Sequence, residues 1–326
     1  MIGSVLITGG SGVVGGAVIR HFVAAGWQVK ALARSEEAAA TVEGLGARSV
    51  PGDLAAIGPL IEAMAGSDLV VNVAGLNTMC PDHPSDLFSV NVDGARRVVR
   101  ACGAAGVGRL IHTSSAAAVG TRGGRGWSDY AESKWQADEV IRAEAPGLGV
   151  EAVLVAPVSV QGPGRATGTG KLIAALVDGK LPVMVDTAIS IVDIDDCGAA
   201  HVAAATRGEP GERYVVSGFT IETRQAVDRL ATLAGIDLKV RFVPGRLAGL
   251  AGPAGSLIGR LTGQDLCAAM VRSMTQRHEH DGATAAAVLG ISYRSPDETL
   301  RRLLEWFRDE GIVSRPMPGL QAAPTA

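Results

Sequence analysis

Short apolar runs alternate with longer stretches of helical periodicity along the first half of the chain. The longest helical stretches cover residues 86–105 and 129–145. Strands and helices that alternate at this spacing predict a doubly wound parallel α/β sheet, whose strands all end at one ligand-binding edge. The runs typical of buried strands lie at residues 3–8, 27–33, 47–51, 68–74, 109–115 and 151–156.

The pattern changes after Pro157. Glycine and proline interrupt residues 158–169, the helical stretches become shorter, and strand-like runs remain at residues 190–192, 213–216 and 239–243. We therefore expect a larger sheet domain, a smaller second lobe and a disordered, proline-containing tail. The predicted boundaries are residues 1–157, 158–313 and 314–326.

The first predicted strand leads into a glycine-rich turn and then a helix, with the sequence Thr8-Gly9-Gly10-Ser11-Gly12-Val13-Val14-Gly15. This geometry places a phosphate at the helix N-terminus, where unpaired amides and the helix dipole favour negative charge. We assign Gly9 to the tight turn, Gly12 to close backbone approach of a pyrophosphate, and Gly15 to close packing of helix on strand. In this context the motif predicts dinucleotide binding, although a lone glycine pattern also occurs in ordinary turns.

The end of the second predicted strand bears on which dinucleotide is bound. Folds that prefer NAD usually carry an acid there, which holds both hydroxyls of the adenosine ribose. This chain has Ala33 and then Arg34, and a guanidinium can pair with a 2′-phosphate. We predict NADP(H), with NAD as the alternative, since Arg34 could equally be a solvated surface residue. Ser35 is the predicted N-cap of the next helix.

Composition and charge narrow the range of partners. The formal net charge is −3 and no basic stripe is present, so we do not expect nucleic acid to bind. No run of eighteen apolar residues occurs, so no membrane span is expected. The four cysteines are scattered and are expected to be reduced thiols. Because residue 1 leads directly into a strand, we expect no signal peptide and a cytoplasmic location.

Two further groups of polar residues are weaker candidates for a functional site. Residues 278–281, His-Glu-His-Asp, could suggest a metal site, but sequence neighbours rarely converge on one ion, so no metal is expected. Arg165, Lys171 and Arg213 could contact an anionic substrate or could be solvated surface residues.

Candidate catalytic residues follow the fifth predicted strand. Thr113-Ser114-Ser115 ends that strand, and Tyr130 and Lys134 lie four apart on the next helix, which places them on one face. A phenol titrates near ~10 in water, and a neighbouring ammonium favours the phenolate. A strand-end serine, a tyrosine and a lysine on a dinucleotide fold therefore predict proton transfer next to the cofactor.

With these residues together, the chain resembles the extended short-chain dehydrogenase/reductase family, of the NAD-dependent epimerase/dehydratase type. It looks most like dihydroflavonol-reductase-like members and the hopanoid-associated sugar epimerase group, and the resemblance covers residues 3 to about 312. The resemblance implies a Rossmann-type sheet and a smaller C-terminal substrate-binding lobe. The matching elements are the glycine turn at 8–15, Gly52-Asp53-Leu54, Asn91, Thr113-Ser114-Ser115, Tyr130 with Lys134, Pro157, residues 191–196 and Glu305-Trp306-Phe307.

The resemblance also implies roles for individual residues. Tyr130 would be the general acid/base, Lys134 its electrostatic partner and ribose ligand, and Ser115 the hydroxyl that polarises the substrate. Helices 86–105 and 129–145 would form a homodimer through a four-helix bundle. The implied cofactor-binding residues are Thr8, Gly9, Ser11, Gly12, Val13, Val14, Gly15, Arg34, Asp53, Leu54, Val73, Ala74, Gly75, Thr113, Tyr130, Lys134 and Pro157.

Three departures from the family pattern limit the transfer. Asn72 stands where many relatives have histidine, Ala156 where many have arginine, and the glycine-rich segment between Val119 and Tyr130 is short. The last departure puts dehydratase chemistry in doubt. We expect an NADP(H)-dependent oxidoreductase whose small-molecule substrate is a secondary alcohol or a ketone. The alternatives are a nucleotide-sugar epimerase that retains NAD and a non-catalytic dinucleotide sensor or scaffold.

Overall fold

The computed structural model describes residues 2–120, 128–245 and 267–320. The chain divides into two compact units. Unit 1 comprises the described residues of Met1–Val158, Ile194–Val216 and Asp281–Ser292. Unit 2 comprises those of Ser159–Asp193, Ser217–His280 and Tyr293–Ala326.

The secondary structure of the described residues follows the predicted alternation. The strands are β1 (Ser4–Thr8), β2 (Gln28–Ala33), β3 (Arg48–Pro51), β4 (Leu69–Asn72), β5 (Arg109–Thr113), β6 (Glu151–Pro157), β7 (Ser159–Gln161), β8 (Val183–Asp186), β9 (Ala188–Asp193), β10 (Arg213–Val216), β11 (Phe219–Glu222) and β12 (Arg241–Pro244). The helices are α1 (Val13–Ala24), α2 (Glu36–Gly44), α3 (Ile57–Met64), α4 (Pro84–Phe88), α5 (Gly94–Ala105), α6 (Ala116–Val119), α7 (Asp129–Glu144), α8 (Thr169–Val177), α9 (Ile194–Arg207), α10 (Thr223–Ala234), α11 (Ala268–Thr275), α12 (Ala283–Leu289) and α13 (Pro296–Asp309).

Unit 1 contains a seven-stranded parallel sheet in the order β10-β6-β5-β4-β1-β2-β3. The strand order reverses direction between β1 and β4, so the predicted doubly wound fold is confirmed. The residues of β10 were expected in the second lobe, but they pair with β6 at the sheet edge, from Arg213 opposite Leu154 to Val216 opposite Pro157. This run is short and its neighbour in sequence is a helix, so periodicity alone could not assign it to a sheet.

The strands of unit 1 are apolar because helices cover the sheet. Val5, Leu6 and Ile7 of β1 are fully buried. Helix α1 packs against α9, and α5 contacts both α3 and α7. The predicted long helix over 86–105 is α4 and α5 joined by a π-helical turn, Ser89–Asp93.

Unit 2 contains two small sheets, with strand orders β11-β9-β7 and β12-β8. Its apolar core is formed by residues of α8, α10 and α13 and of the segment that follows α13. The expected disorder from residue 314 is wrong for residues 314–320, since Met317 and Leu320 are buried and Arg308 Nη1 donates to the Leu320 carbonyl at 2.7 Å. Residues 321–326 lie outside the described residues.

Two composition-based expectations can be compared with the structure. No helix among the described residues is long and apolar enough to cross a membrane. Cys102 and Cys197 are free and buried. Cys80 and Cys267 are disulfide-bonded, so the expectation of reduced thiols is wrong at these two positions.

Candidate functional site

The glycine turn after β1 is packed more closely than side chains would allow. Gly9 has φ +70°, and an added Cβ would lie 2.6 Å from the Ala74 backbone nitrogen. A Cβ on Gly15 would overlap the Gly9 carbonyl group. At Gly12 the nearest atom to an added Cβ is Gly9 O, at 3.4 Å. The turn thus touches the end of β4 on one side and α1 on the other.

The first turn of α1 is accessible at the sheet edge. Ser11 and Gly12 are exposed, and Val13 and Val14 are half-buried. Gly12 is the extended N-cap residue, and the helix begins at Val13. Amides at such a helix start attract anions, so this turn has the form of a phosphate cradle.

Thr8 joins the ends of β1 and β4. Its hydroxyl donates to Asn72 Oδ1 at 2.6 Å and accepts from the Ala74 amide at 3.3 Å. The side chain is fully buried. Thr8 therefore fixes the segment that follows β4. In that segment Val73 and Ala74 are half-buried and Gly75 is exposed. The sequence predicted that Thr8 contacts the cofactor.

The strand ends on the other side of β1 carry the residues expected at the adenosine. Arg34 is exposed directly after β2, and Ser35 caps α2 by accepting from the Ala38 amide at 3.2 Å, which confirms the predicted N-cap. The Gly52 amide donates to the Ala33 carbonyl at 3.0 Å, so the segment after β3 runs beside the end of β2. Asp53 in that segment is exposed and its Oδ1 accepts from the Ala55 amide at 2.8 Å, while Leu54 is half-buried.

The three hydroxyl groups after β5 have different surroundings. The Thr113 hydroxyl pairs with His201 Nε2 at 2.9 Å, and Ser114 Oγ donates to Asp138 at 2.6 Å. Ser115 is half-buried and is the N-cap of α6, where its Oγ accepts from the Ala117 amide at 3.2 Å. Capping uses a lone pair of Ser115 and leaves its hydroxyl hydrogen able to donate to a ligand.

Helix α7 presents Tyr130 and Lys134 one turn apart. Ser128 begins this helix by accepting from the Ala131 amide at 3.2 Å. Tyr130 is half-buried, whereas Lys134 is buried and its Nζ donates to the Thr113 carbonyl at 2.6 Å. Burial lowers the pKa of Lys134 to about 8, against the opposing effect of the Asp138 carboxylate. The lysine is thus tied to the strand end that carries Ser115.

Asn91 was matched in the sequence without a role, and the structure gives it contacts at the site. It lies in the π-helical turn before α5, where such turns often mark functional positions. Its Oδ1 accepts from the Leu76 amide at 2.8 Å, and its Nδ2 donates to Ser133 Oγ at 2.9 Å. Ser133 in turn donates to the Tyr130 carbonyl at 2.8 Å. Asn91 thereby joins the segment after β4 to the helix that carries the tyrosine.

Sequence reasoning also left out His112 and Asp138, which are buried beneath this edge. Arg213, which was considered for an anionic substrate, lies on β10 and pairs with Asp138 at 3.4 Å. No signal in a single sequence marks these contacts, because the partners are far apart along the chain. Pro157 is buried at the end of β6.

Other candidates lie in unit 2 or outside the described residues. In unit 2, Arg277 is paired with Glu279 and Glu222, and His278 with Ser273. Among the described residues, no group of three His, Cys, Asp or Glu side chains could hold a metal ion. Most of the glycine-rich segment before Tyr130, residues 121–127, lies outside the described part of the chain.

Comparison with known proteins identifies similar sequences and a similar fold. The family model "NAD dependent epimerase/dehydratase family" matches residues 5–217. A putative dihydroflavonol 4-reductase from Synechocystis sp. is 28% identical over 94% of this chain and 95% of its own length. A 4-hydroxy-2-methyl-3-oxo-4-farnesyl-3,4-dihydroquinoline-1-oxide ketoreductase from Stigmatella aurantiaca is 30% identical over 78% of this chain and 80% of its own. The crystal structure of gox2253 superposes with a TM-score of 0.83 at 25% identity, covering 95% of this chain and 99% of that one.

Proposed function

The chain belongs to the NAD dependent epimerase/dehydratase family, and from that premise we propose that it is an NADP(H)-dependent oxidoreductase that interconverts a secondary alcohol and a ketone. The observation that carries the proposal is that α7 and the end of β5 gather Tyr130, Lys134 and Ser115 in one unit with the glycine turn. The related proteins named as reductases support the same reaction class.

The residues at the strand ends fit a dinucleotide. A Cβ on Gly12 would make an ordinary contact with Gly9 O at 3.4 Å, and the start of α1 is accessible. Gly75 lies next to the lysine, because a Cβ there would be 3.9 Å from Lys134 Nζ. The exposed Arg34 makes no hydrogen bond or ion pair with any described residue, so its guanidinium is available for a 2′-phosphate. A bound nicotinamide cofactor would supply or accept the hydride.

The chain's own residues then account for the proton and for the charge on oxygen. In the direction of reduction, the Tyr130 phenol gives its proton to the carbonyl oxygen of the substrate, and in oxidation the phenolate takes that proton back. The Ser115 hydroxyl donates a hydrogen bond to the same oxygen, where charge develops. The ammonium of Lys134, held by the Thr113 carbonyl, favours the phenolate of Tyr130.

The variant Tyr130→Phe tests this assignment. NADPH oxidation by the wild-type protein is first followed with a panel of ketones. A ketone that the wild-type protein reduces is then used to compare the wild-type protein with the variant. We expect kcat to fall by about 10³ and the Kd for NADPH to change by less than about twofold, since the ring remains. Tyr214→Phe is the matched control, because it removes a buried phenol hydroxyl that accepts from the Glu209 amide at 3.0 Å. Wild-type turnover by Tyr130→Phe would contradict the proposal.

Two further outcomes would favour the rival functions. Purified protein that retains NAD and epimerises a nucleotide-sugar without net nicotinamide turnover would favour an epimerase. NADPH binding without turnover of any alcohol, ketone or nucleotide-sugar would favour a sensor or scaffold. Arg34 weighs against the first, and the presence of both Tyr130 and Lys134 weighs against the second.

A homodimer through helices 86–105 and 129–145 is part of the same proposal. On these helices Glu144 accepts from Arg96 Nε at 3.0 Å and from Arg100 Nε at 2.6 Å. These ion pairs are partly exposed and would lie at the rim of a four-helix interface. Sedimentation equilibrium should give twice the chain mass, and a monomer at micromolar concentration would contradict this part.

A further inference from the structure

A buried carboxylate lies one helical turn beyond Lys134. Asp138 follows Lys134 by four residues on α7, and its side chain is fully buried. The two side chains therefore occupy the same face of the helix. Burying one charge next to another of opposite sign is favourable only if the remaining polar atoms are also satisfied, so the other partners of Asp138 decide its role.

Groups from two strands of the main sheet surround this carboxylate. Ser114 Oγ on the segment after β5 donates to Asp138 Oδ2 at 2.6 Å, and Arg213 Nε of β10 pairs with the same oxygen at 3.4 Å. His112 of β5 approaches the other oxygen, with its Nε2 3.9 Å from Oδ1. Asp138 is thus the anion of a buried cluster that contains the cations Lys134 and Arg213.

His112 adds no positive charge to the cluster. The Thr8 hydroxyl donates to Asn72 Oδ1, so the amide group of Asn72 faces His112 and donates to its Nδ1 at 3.1 Å. With Nδ1 as acceptor, the proton of the neutral ring is on Nε2, which faces Asp138. Burial and the nearby charge of Lys134 hold the pKa of His112 well below its usual value. The imidazole is therefore neutral, and its Nε2 faces Asp138 Oδ1 from 3.9 Å, beyond hydrogen-bond distance.

The charge balance of the cluster then rests on a single carboxylate. Without it, the buried ammonium of Lys134 and the half-buried guanidinium of Arg213 would both lose this carboxylate as a partner. A guanidinium keeps its proton under all ordinary conditions, whereas a lysine ammonium loses its proton readily when buried. Lys134 is consequently the group that would become neutral. Two neighbours of Lys134 from other elements are uncharged: the Thr113 carbonyl accepts from its Nζ, and Asn91 Oδ1 approaches the same side of Gly75 as that Nζ.

We propose that Asp138 is a positioning residue, the buried carboxylate that keeps Lys134 protonated beside Tyr130. The role of that charge in the reaction rests on the proposed function. The charged groups that face Asp138 are Lys134 and Arg142 on α7 and Arg213 on β10, and the titratable but neutral His112 faces it from β5.

The charge of Lys134 can be measured without any substrate. The chain has five lysines, at positions 30, 134, 171, 180 and 239, so ¹³Cε-lysine labelling gives a small set of NMR signals. The Lys134 signal is assigned by its absence from Lys134→Arg. In the wild-type protein we expect its titration midpoint near the pKa of about 8. In Asp138→Asn, whose amide oxygen still accepts from Ser114, we expect the midpoint to fall by about one pH unit or more.

Matched variants isolate the cause. Glu139→Gln removes an equal charge from the next residue, whose carboxylate is half-exposed and lies 3.7 Å from Arg142, and should leave the midpoint unchanged. Asp138→Glu should restore it. An unchanged midpoint in Asp138→Asn would overturn the inference. If that variant does not fold, Asp138→Ser is measured in its place, and an unchanged midpoint there would overturn the inference.

The rate profile separates this inference from the proposed function. If the charge of Lys134 assists Tyr130, the alkaline limb of the kcat profile in Asp138→Asn moves to lower pH by the same amount as the NMR midpoint. A moved midpoint with an unmoved rate profile would support the inference about charge and contradict the catalytic role given to Lys134.

Discussion

Two adjacent glycines in α1 allow a test of the phosphate cradle, because the same substitution can be compared at two neighbouring positions. Gly15 and Gly16 are both buried in the first turn and a half of the helix. A Cβ on Gly15 would lie 2.7 Å from the Gly9 carbonyl carbon and 2.9 Å from Gly10 Cα, which are backbone atoms. A Cβ on Gly16 would first meet the end of a flexible side chain, Leu45 Cδ1, at 3.3 Å. Alanine should therefore be tolerated at 16 and not at 15.

The magnitudes follow from these contacts. Replacing glycine by alanine within a helix stabilises it by about 0.5–1 kcal/mol, and this gain applies at both positions. Overpacking costs about 1–3 kcal/mol, and the upper end applies at Gly15 because Gly9 cannot retreat from the end of β4. We expect Gly15→Ala to unfold with a free energy about 2–3 kcal/mol below that of Gly16→Ala. Displacement of the turn should also weaken NADPH binding at least about tenfold, or 1.4 kcal/mol.

Denaturant unfolding and calorimetric titration with NADPH measure the two effects on the same samples. Equal unfolding free energies and equal Kd values for Gly15→Ala and Gly16→Ala would refute the packing argument. A less stable Gly15→Ala with an unchanged Kd would leave the packing argument intact and refute the assignment of this turn to the pyrophosphate.

Three further predictions concern single side chains. Arg34→Ala should raise the Kd for NADPH at least about tenfold and leave the Kd for NADH within about twofold. Replacing the exposed Arg48 of β3 by alanine should change neither Kd. Ser115→Ala and Ser35→Ala each remove a 3.2 Å capping hydrogen bond, so each should lower the free energy of unfolding by about 1 kcal/mol. Only Ser115→Ala should also lower kcat, by a factor of about 10² or more. Burial lowers the pKa of His201 to about 4, so the unfolded chain takes up this proton first on acidification, and stability should fall by about 2 kcal/mol from pH 7 to pH 5. Chemical unfolding at both pH values should show this loss, and His201→Gln should lack that contribution.

The predictable part of the fold is the part encoded by local pattern. The apolar runs predicted β1 to β6 within a few residues, because a strand buried on both faces must be apolar over nearly its whole length. Strand β10 carries the same kind of signal but lies far from β6 in sequence, and only tertiary packing determines which sheet it joins. The ordered segment 314–320 was missed for a related reason, since its prolines suggested a tail while Met317 and Leu320 bury apolar area.

The residues of the site also divide into those that a local pattern predicts and those that only tertiary packing brings together. The glycine turn, the serine after β5 and the tyrosine and lysine of α7 could be proposed because each follows from spacing within a short segment. The residues that hold these side chains in place could not be proposed from the sequence. The cluster around Asp138 draws on β5, α7 and β10, and a buried aspartate in one sequence is indistinguishable from an exposed one.

The register of the central strands explains why polar support gathers at this edge. Thr8 is opposite Asn72, and Asn72 is opposite His112, so residues at or next to the ends of three neighbouring strands form one polar row. A shift of one residue in β4 would put Val71 or Val73 opposite Thr8 and break both hydrogen bonds of Asn72. Because buried amides and hydroxyls left unpaired cost free energy, the row helps to fix the register. The same hydrogen bonds point the Nε2–H of His112 at Asp138. The hydrogen bonds that help to fix the register of these strands therefore also orient the polar groups near Lys134.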